Sequence, residues 1–116
     1  MKNCLGLIAV LLLMAACAVP PPYLYYGDTS HSYYKAVKKQ DAASVAHYKA
    51  SLEDVFAKST RLRISVPPGL YCDYAMLLLA NNELAGAKVY FQKEKDAWSE
   101  SAAFMDFLMQ RYSVKD

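Results

Sequence analysis

Histidine, glycine and cysteine are all scarce in this 116-residue chain, and each scarcity excludes something. His31 and His47 are the only histidines and stand at no metal-ligand spacing, so no zinc motif can be assembled from sequence neighbours. Four glycines supply neither a Gly-rich phosphate loop nor a nucleophile elbow. Of three cysteines, Cys4 and Cys17 fall in or just after an N-terminal apolar stretch, which leaves Cys72 as the one thiol further on. A disulfide framework is therefore excluded, and a hydrophobic core has to hold the fold. Charge is low and balanced, with a formal net of +2 and no long basic run, so there is no nucleic-acid footprint. The apolar stretch is broken at Pro20–Pro22, short of the roughly 20 residues that span a bilayer. The length allows one domain around one modest core.

What is present begins at the N-terminus. Lys2 gives a positive start, every residue from Cys4 to Met14 is apolar or Gly, and Ala15-Ala16 are small. This is the pattern of a signal peptide over residues 1–16. Leu13-Met14-Ala15-Ala16-Cys17 resembles the lipobox of bacterial lipoproteins, with Met14 standing where Leu is usual. The resemblance implies cleavage between Ala16 and Cys17 and lipidation of the Cys17 thiol. Each buried methylene of the acyl chains adds about 0.8 kcal/mol of membrane affinity. Cleavage leaves 100 residues (116 − 16) and, with Lys2 gone, a formal charge of about +1. Ala18 follows the cysteine where Asp would favour inner-membrane retention in enterobacterial lipoproteins. By that resemblance the expected location is the outer membrane, facing the periplasm.

Residues 17–40 read as the lipidated cysteine, a proline-rich tether over 18–22, and a segment holding Tyr23, Tyr25, Tyr26, Tyr33 and Tyr34, five of the ten tyrosines. The plain expectation is a capping segment whose rings lie on the helices behind it. Contact with lipid headgroups or a tyrosine-rich partner surface are the alternatives.

Residues 41–116 read as an all-α domain of antiparallel helical hairpins. Asp41 is a natural N-cap for a helix over 41–60, with Val45, Tyr48, Leu52, Val55, Phe56 and Ser59 as its buried stripe. Pro67-Pro68-Gly69 ends the following segment and starts a helix to Ala80, with Leu70, Tyr71, Tyr74, Leu77 and Leu78 as buried positions. Asn81-Asn82 makes the turn, and a third helix over 83–98 presents Leu84, Ala87, Phe91 and Trp98. Ser99 restarts the chain as the N-cap of a fourth helix to Tyr112, with Phe104, Phe107, Leu108 and Arg111 at helical spacing. Short turns make these helices antiparallel neighbours.

The pair from Pro68 to Trp98 resembles one tetratricopeptide repeat. Tyr71, Tyr74, Ala75 and Leu78 match the first helix of such a repeat, and Ala87 and Phe91 the second. One repeat cannot bury its own face, so the flanking helices must close the core. The resemblance implies a partner-binding groove bordered by the helices over 41–60 and 69–80. Tyr71 and Tyr74 would stand at its edge, and Asp73 and Lys49 on its exposed rim; the alternative is that both tyrosines pack in the core and the partner surface lies elsewhere, as on the segment from Tyr23 to Tyr34.

The mature chain as a whole resembles a family of small proteobacterial lipoproteins, domain of unknown function 4810, described as tetratricopeptide-like. The strings that carry this are an aromatic before Gly27-Asp28, His47 with Leu52-Glu53, Val66-Pro67-Pro68-Gly69-Leu70-Tyr71, Tyr90-Phe91 with Glu94-Lys95, and Glu100-Ser101 with Phe104-Met105. Cys72-Asp73 stands where Ala-Glu is expected, and Tyr26 where Trp is. The family carries no assigned activity. Its members are often encoded beside a lipoprotein similar to the curli secretion channel, which implies partners among other envelope lipoproteins.

Cys72 with His47 could be named a nucleophile and a base, but nothing in the sequence brings them together, and a cysteine inside an apolar helix is more often a small buried hydrophobe. The expectation is therefore a non-enzyme without cofactor, bound to the membrane through its lipid and acting as a helical protein-interaction module in an envelope assembly. A pilotin-like escort of an outer-membrane secretion subunit and a purely structural lipoprotein are the alternatives.

Overall fold

The computed structural model describes residues 23–113. The expected signal peptide, the Ala16–Cys17 junction and the tether over 18–22 lie outside them. The described residues form five α-helices and no strand: α1 Thr29–Lys39, α2 Ala42–Leu62, α3 Leu70–Ala80, α4 Leu84–Ala97 and α5 Ala102–Ser113. A short 3-10 turn, Ser99–Ser101, precedes α5. The fold is all-α, with α1–α2 and α3–α4 as antiparallel hairpins and α5 closing on α4.

Local chemistry sets the breaks. Gln40 ends α1 in the left-handed region at φ 54°, and its N–H donates to the Ala36 carbonyl. Asp41 then caps α2, its Oδ1 accepting from the Ser44 N–H at 2.6 Å. That bond favours the carboxylate and holds the Asp41 pKa below its ordinary value. Arg63 ends α2 at φ 55°. Neither Pro67 nor Pro68 enters a helix. Gly69, at φ 90°, is the N-cap of α3, a conformation that strains any residue with a Cβ.

The core is built from Tyr48, Leu52 and Val55 of α2, Leu70, Tyr74, Ala75 and Leu78 of α3, Ala87 and Phe91 of α4, and Met105 and Leu108 of α5. Ala75 and Ala87 are fully buried, and a Cβ on Gly86 would meet Leu78 Cδ1 at 3.2 Å. Small side chains thus let α3 and α4 approach closely, as the repeat-like spacing implied.

Several expectations change. The tyrosine-rich segment contains α1, whose buried residues are Thr29, Ser32 and Ala36. Tyr23, Tyr26, Tyr33 and Tyr34 are exposed, although the Tyr33 ring still meets Tyr48 of α2, and the Tyr25 hydroxyl donates to Asp54 Oδ2 on α2 at 3.1 Å. Val45 is exposed. On α5 the buried face is Met105 and Leu108, one residue along from the exposed Phe104 and Phe107. Leu108 is buried as expected, and Met105 takes the inward place beside it.

Candidate interaction surface

The segment Val66–Tyr71 carries no helix until Leu70, yet Val66 and Pro67 are buried. It is fixed by α4 and the turn after it. The Gly69 N–H donates to Glu94 Oε1 at 2.7 Å, the Ser101 hydroxyl donates to the same oxygen at 3.4 Å, and Trp98 Nε1–H donates to the Val66 carbonyl at 3.0 Å. Glu94 is fully buried, and its Oε2 has no hydrogen-bond partner among the described residues. Three strings that carry the family resemblance therefore meet in one interlock. It holds the start of α3 against the end of α4.

Beside that interlock lies a cluster of four rings from three helices: Phe56 on α2, Tyr71 and Tyr74 on α3, and Tyr90 on α4. Centroids of Tyr74 and Tyr90 are 4.4 Å apart, and those of Phe56 and Tyr71 4.8 Å. The Lys93 ammonium sits 4.5 Å from the Tyr90 centroid, and the Lys49 ammonium 5.5 Å from that of Tyr74. Tyr74 is buried and its hydroxyl donates to Glu53 Oε1 at 2.6 Å. Tyr71 is half-buried and faces Phe56 and Tyr90. Desolvation raises the pKa of both phenols, so both stay neutral.

Two hollows open on either side of α2 and α3. A groove of about 380 Å³ runs between them, lined by Val45, Ala46, Lys49, Leu77 and Asn81 among others. A smaller hollow of about 180 Å³ lies between α1 and α3, with Tyr26, Tyr33, Tyr48 and Asp73 on its walls. The Tyr48 hydroxyl donates to Asp73 Oδ2 at 2.6 Å, and the rings of Tyr33 and Tyr48 meet edge to face at 5.4 Å. Burial, reinforced by the carboxylate, raises the Tyr48 pKa and keeps that donor proton in place.

The four residues expected at one groove are thus distributed. Lys49 lines the larger groove and lies over Tyr74, Tyr71 joins the ring cluster, and Asp73 lines the smaller hollow. Lys49 and Asp73 are half-buried rather than on an open rim. Tyr26, Tyr33 and Tyr48 were not foreseen as neighbours of Asp73. Their only signal was the density of tyrosine ahead of α2.

The Cys72 thiol is half-buried, and burial pushes its pKa up to about 11, so near neutral pH it is a thiol and not a thiolate nucleophile. His47 is exposed. Among the described residues no group of three His, Cys, Asp or Glu could hold a metal ion, and no helix is long and apolar enough to cross a membrane. No curated protein and no solved structure matches the chain. The family described as Domain of unknown function (DUF4810) matches residues 23–108, and the chain belongs to that family.

Proposed function

We propose that the chain is a lipoprotein precursor, cut before Cys17 and anchored by lipid on that cysteine to the periplasmic side of the outer membrane. There the helical hairpins act as a non-catalytic interaction module in an envelope lipoprotein assembly, whose other members include a lipoprotein similar to the curli secretion channel. The lipobox-like string Leu13–Cys17 supports the anchor. The observation that carries the interaction reading is the open hollow between α1 and α3, where exposed tyrosines flank a carboxylate that makes no ion pair among the described residues. Tyrosine offers a large apolar face and one hydroxyl at small entropic cost, which suits a partner surface.

Co-purification from detergent-solubilised envelopes tests the reading. A defined stoichiometric partner is expected, while a transient secretion client would favour the pilotin-like escort. Recovery of lipid alone would leave a purely structural lipoprotein. In parallel, Cys17→Ser should release the protein from the membrane fraction or leave it uncleaved. A normally sized, lipid-labelled product from that variant would end the anchor claim.

A further inference from the structure

The hollow between α1 and α3 has a composition that selects its occupant. Its walls are aromatic, with Tyr26 and Tyr33 each about half exposed and Tyr48 behind them. Its one charge is Asp73, which is half-buried in the first turn of α3. The Tyr48 hydroxyl takes Oδ2, and Oδ1 is left without a hydrogen bond among the described residues. No lysine, arginine or histidine lines the hollow. Partial desolvation strengthens the pull of that carboxylate on an incoming cation.

We propose that this hollow receives one basic side chain, the ammonium of lysine or the guanidinium of arginine, presented by a segment of a partner protein. The proposal rests on the interaction-module reading and names the chemistry of its partner. The cation would meet Asp73 Oδ1, while its alkyl stem lies along the Tyr26 and Tyr33 rings. The volume of about 180 Å³ is that of a socket for one side chain, below the roughly 300 Å³ where small-molecule pockets begin. A phosphoethanolamine headgroup fits less well, because its phosphate would find no basic residue on these walls.

The test is an NMR titration of the full processed lipoprotein in micelles with three probes: N-acetyl-lysine methylamide, N-acetyl-arginine methylamide and the neutral N-acetyl-norleucine methylamide. Saturable shifts at Tyr26, Tyr33 and Asp73 are expected with the two cations and not with norleucine. Asp73→Asn should weaken the cation probes about tenfold, since a charge-assisted bond is lost. The Asn carbonyl can still accept from Tyr48, so the fold is kept, and unchanged resonances elsewhere check this. Tyr33→Leu should weaken them several-fold. Norleucine binding as tightly as lysine, or an unchanged affinity in Asp73→Asn, overturns the proposal. So do shifts at these residues in phosphatidylethanolamine nanodiscs without any response to the lysine probe. Envelope co-purification separates the two claims. A partner recovered undiminished with Asp73→Asn sinks the socket and leaves the module. A chain that binds the lysine probe yet brings down no partner keeps the socket and loses the module, and with it the partner.

Discussion

The α3–α4 hairpin closes over Tyr74, Ala75, Leu78, Ala87 and Phe91, whereas α1 lies on α2 through Thr29, Ser32 and Ala36 and sends Tyr34 and Val37 outward. The first is a hydrophobic contact, in which one side chain of Phe91's size contributes roughly 1.5–3 kcal/mol by burial. The second is a contact of small and polar groups, where Ser32 and Ser51 share a hydrogen bond at 2.6 Å and the Asp28 carbonyl lies 2.9 Å from the Ser32 hydroxyl as a further acceptor. Such bonds contribute about 1 kcal/mol each. The consequence is a stability gradient along the chain. α1, one wall of the candidate socket, is therefore expected to open more easily than the α3–α4 hairpin.

The largest expected effect tests the hydrophobic half. Phe91→Ala should cost roughly 3–5 kcal/mol, measured by urea unfolding, because it leaves a cavity in the buried core. A near-zero loss would remove the contrast between the hairpins. Next is the interlock. Glu94→Ala strands the Gly69 N–H and should cost about 1–3 kcal/mol. Glu94→Gln, which retains an acceptor, should cost less, and an equal loss in both would mean that the carboxylate charge matters more than the bond. Ser32→Ala should cost about 1 kcal/mol. Hydrogen exchange should then speed up in α1 amides and leave α4 amides unchanged, and uniform acceleration would show one cooperative unit instead of a gradient.

The smallest effect is alkaline. Cys72 has a folded pKa raised from 9.0 to about 11, and the phenols of Tyr48 and Tyr74 are raised from 10.0. The unfolded chain therefore loses these protons first. Their contribution is fully present below pH 9 and falls as pH rises through the folded values. Between pH 9 and 10 the slope belongs mainly to the thiol, so Cys72→Ala should flatten it there. An unchanged slope would mean that the thiol is more solvated than its half-burial indicates.

The α2, α3 and α4 helices were legible because each repeats its buried residues at helical spacing and carries a recognisable end, Asp41 before α2 and Asn81-Asn82 after α3. The α1 helix was not, because its inward residues are small and polar and its large residues face solvent, which inverts the pattern that periodicity reads. The α5 phase was missed for a different reason. Spacing admits two neighbouring stripes on this helix, and the larger rings of Phe104 and Phe107 drew the expected one to themselves beside Leu108, whereas the buried one runs through Met105 and Leu108. At the candidate site, Asp73 and Lys49 were singled out together, but α3 turns one toward α1 and α2 carries the other to its opposite side.

By itself the sequence determined the helical class, the close α3–α4 approach through Ala75 and Ala87, and the strings that mark the family, since these depend on residue size, periodicity and local capping. Only the tertiary structure decided that Val66–Tyr71, Glu94 and Ser101 form one interlock and that Tyr26, Tyr33, Tyr48 and Asp73 share one hollow. Those groups come from helices and loops far apart in the chain, and the path of α1 across α2 and α3 has no local signal in the residues that it brings together.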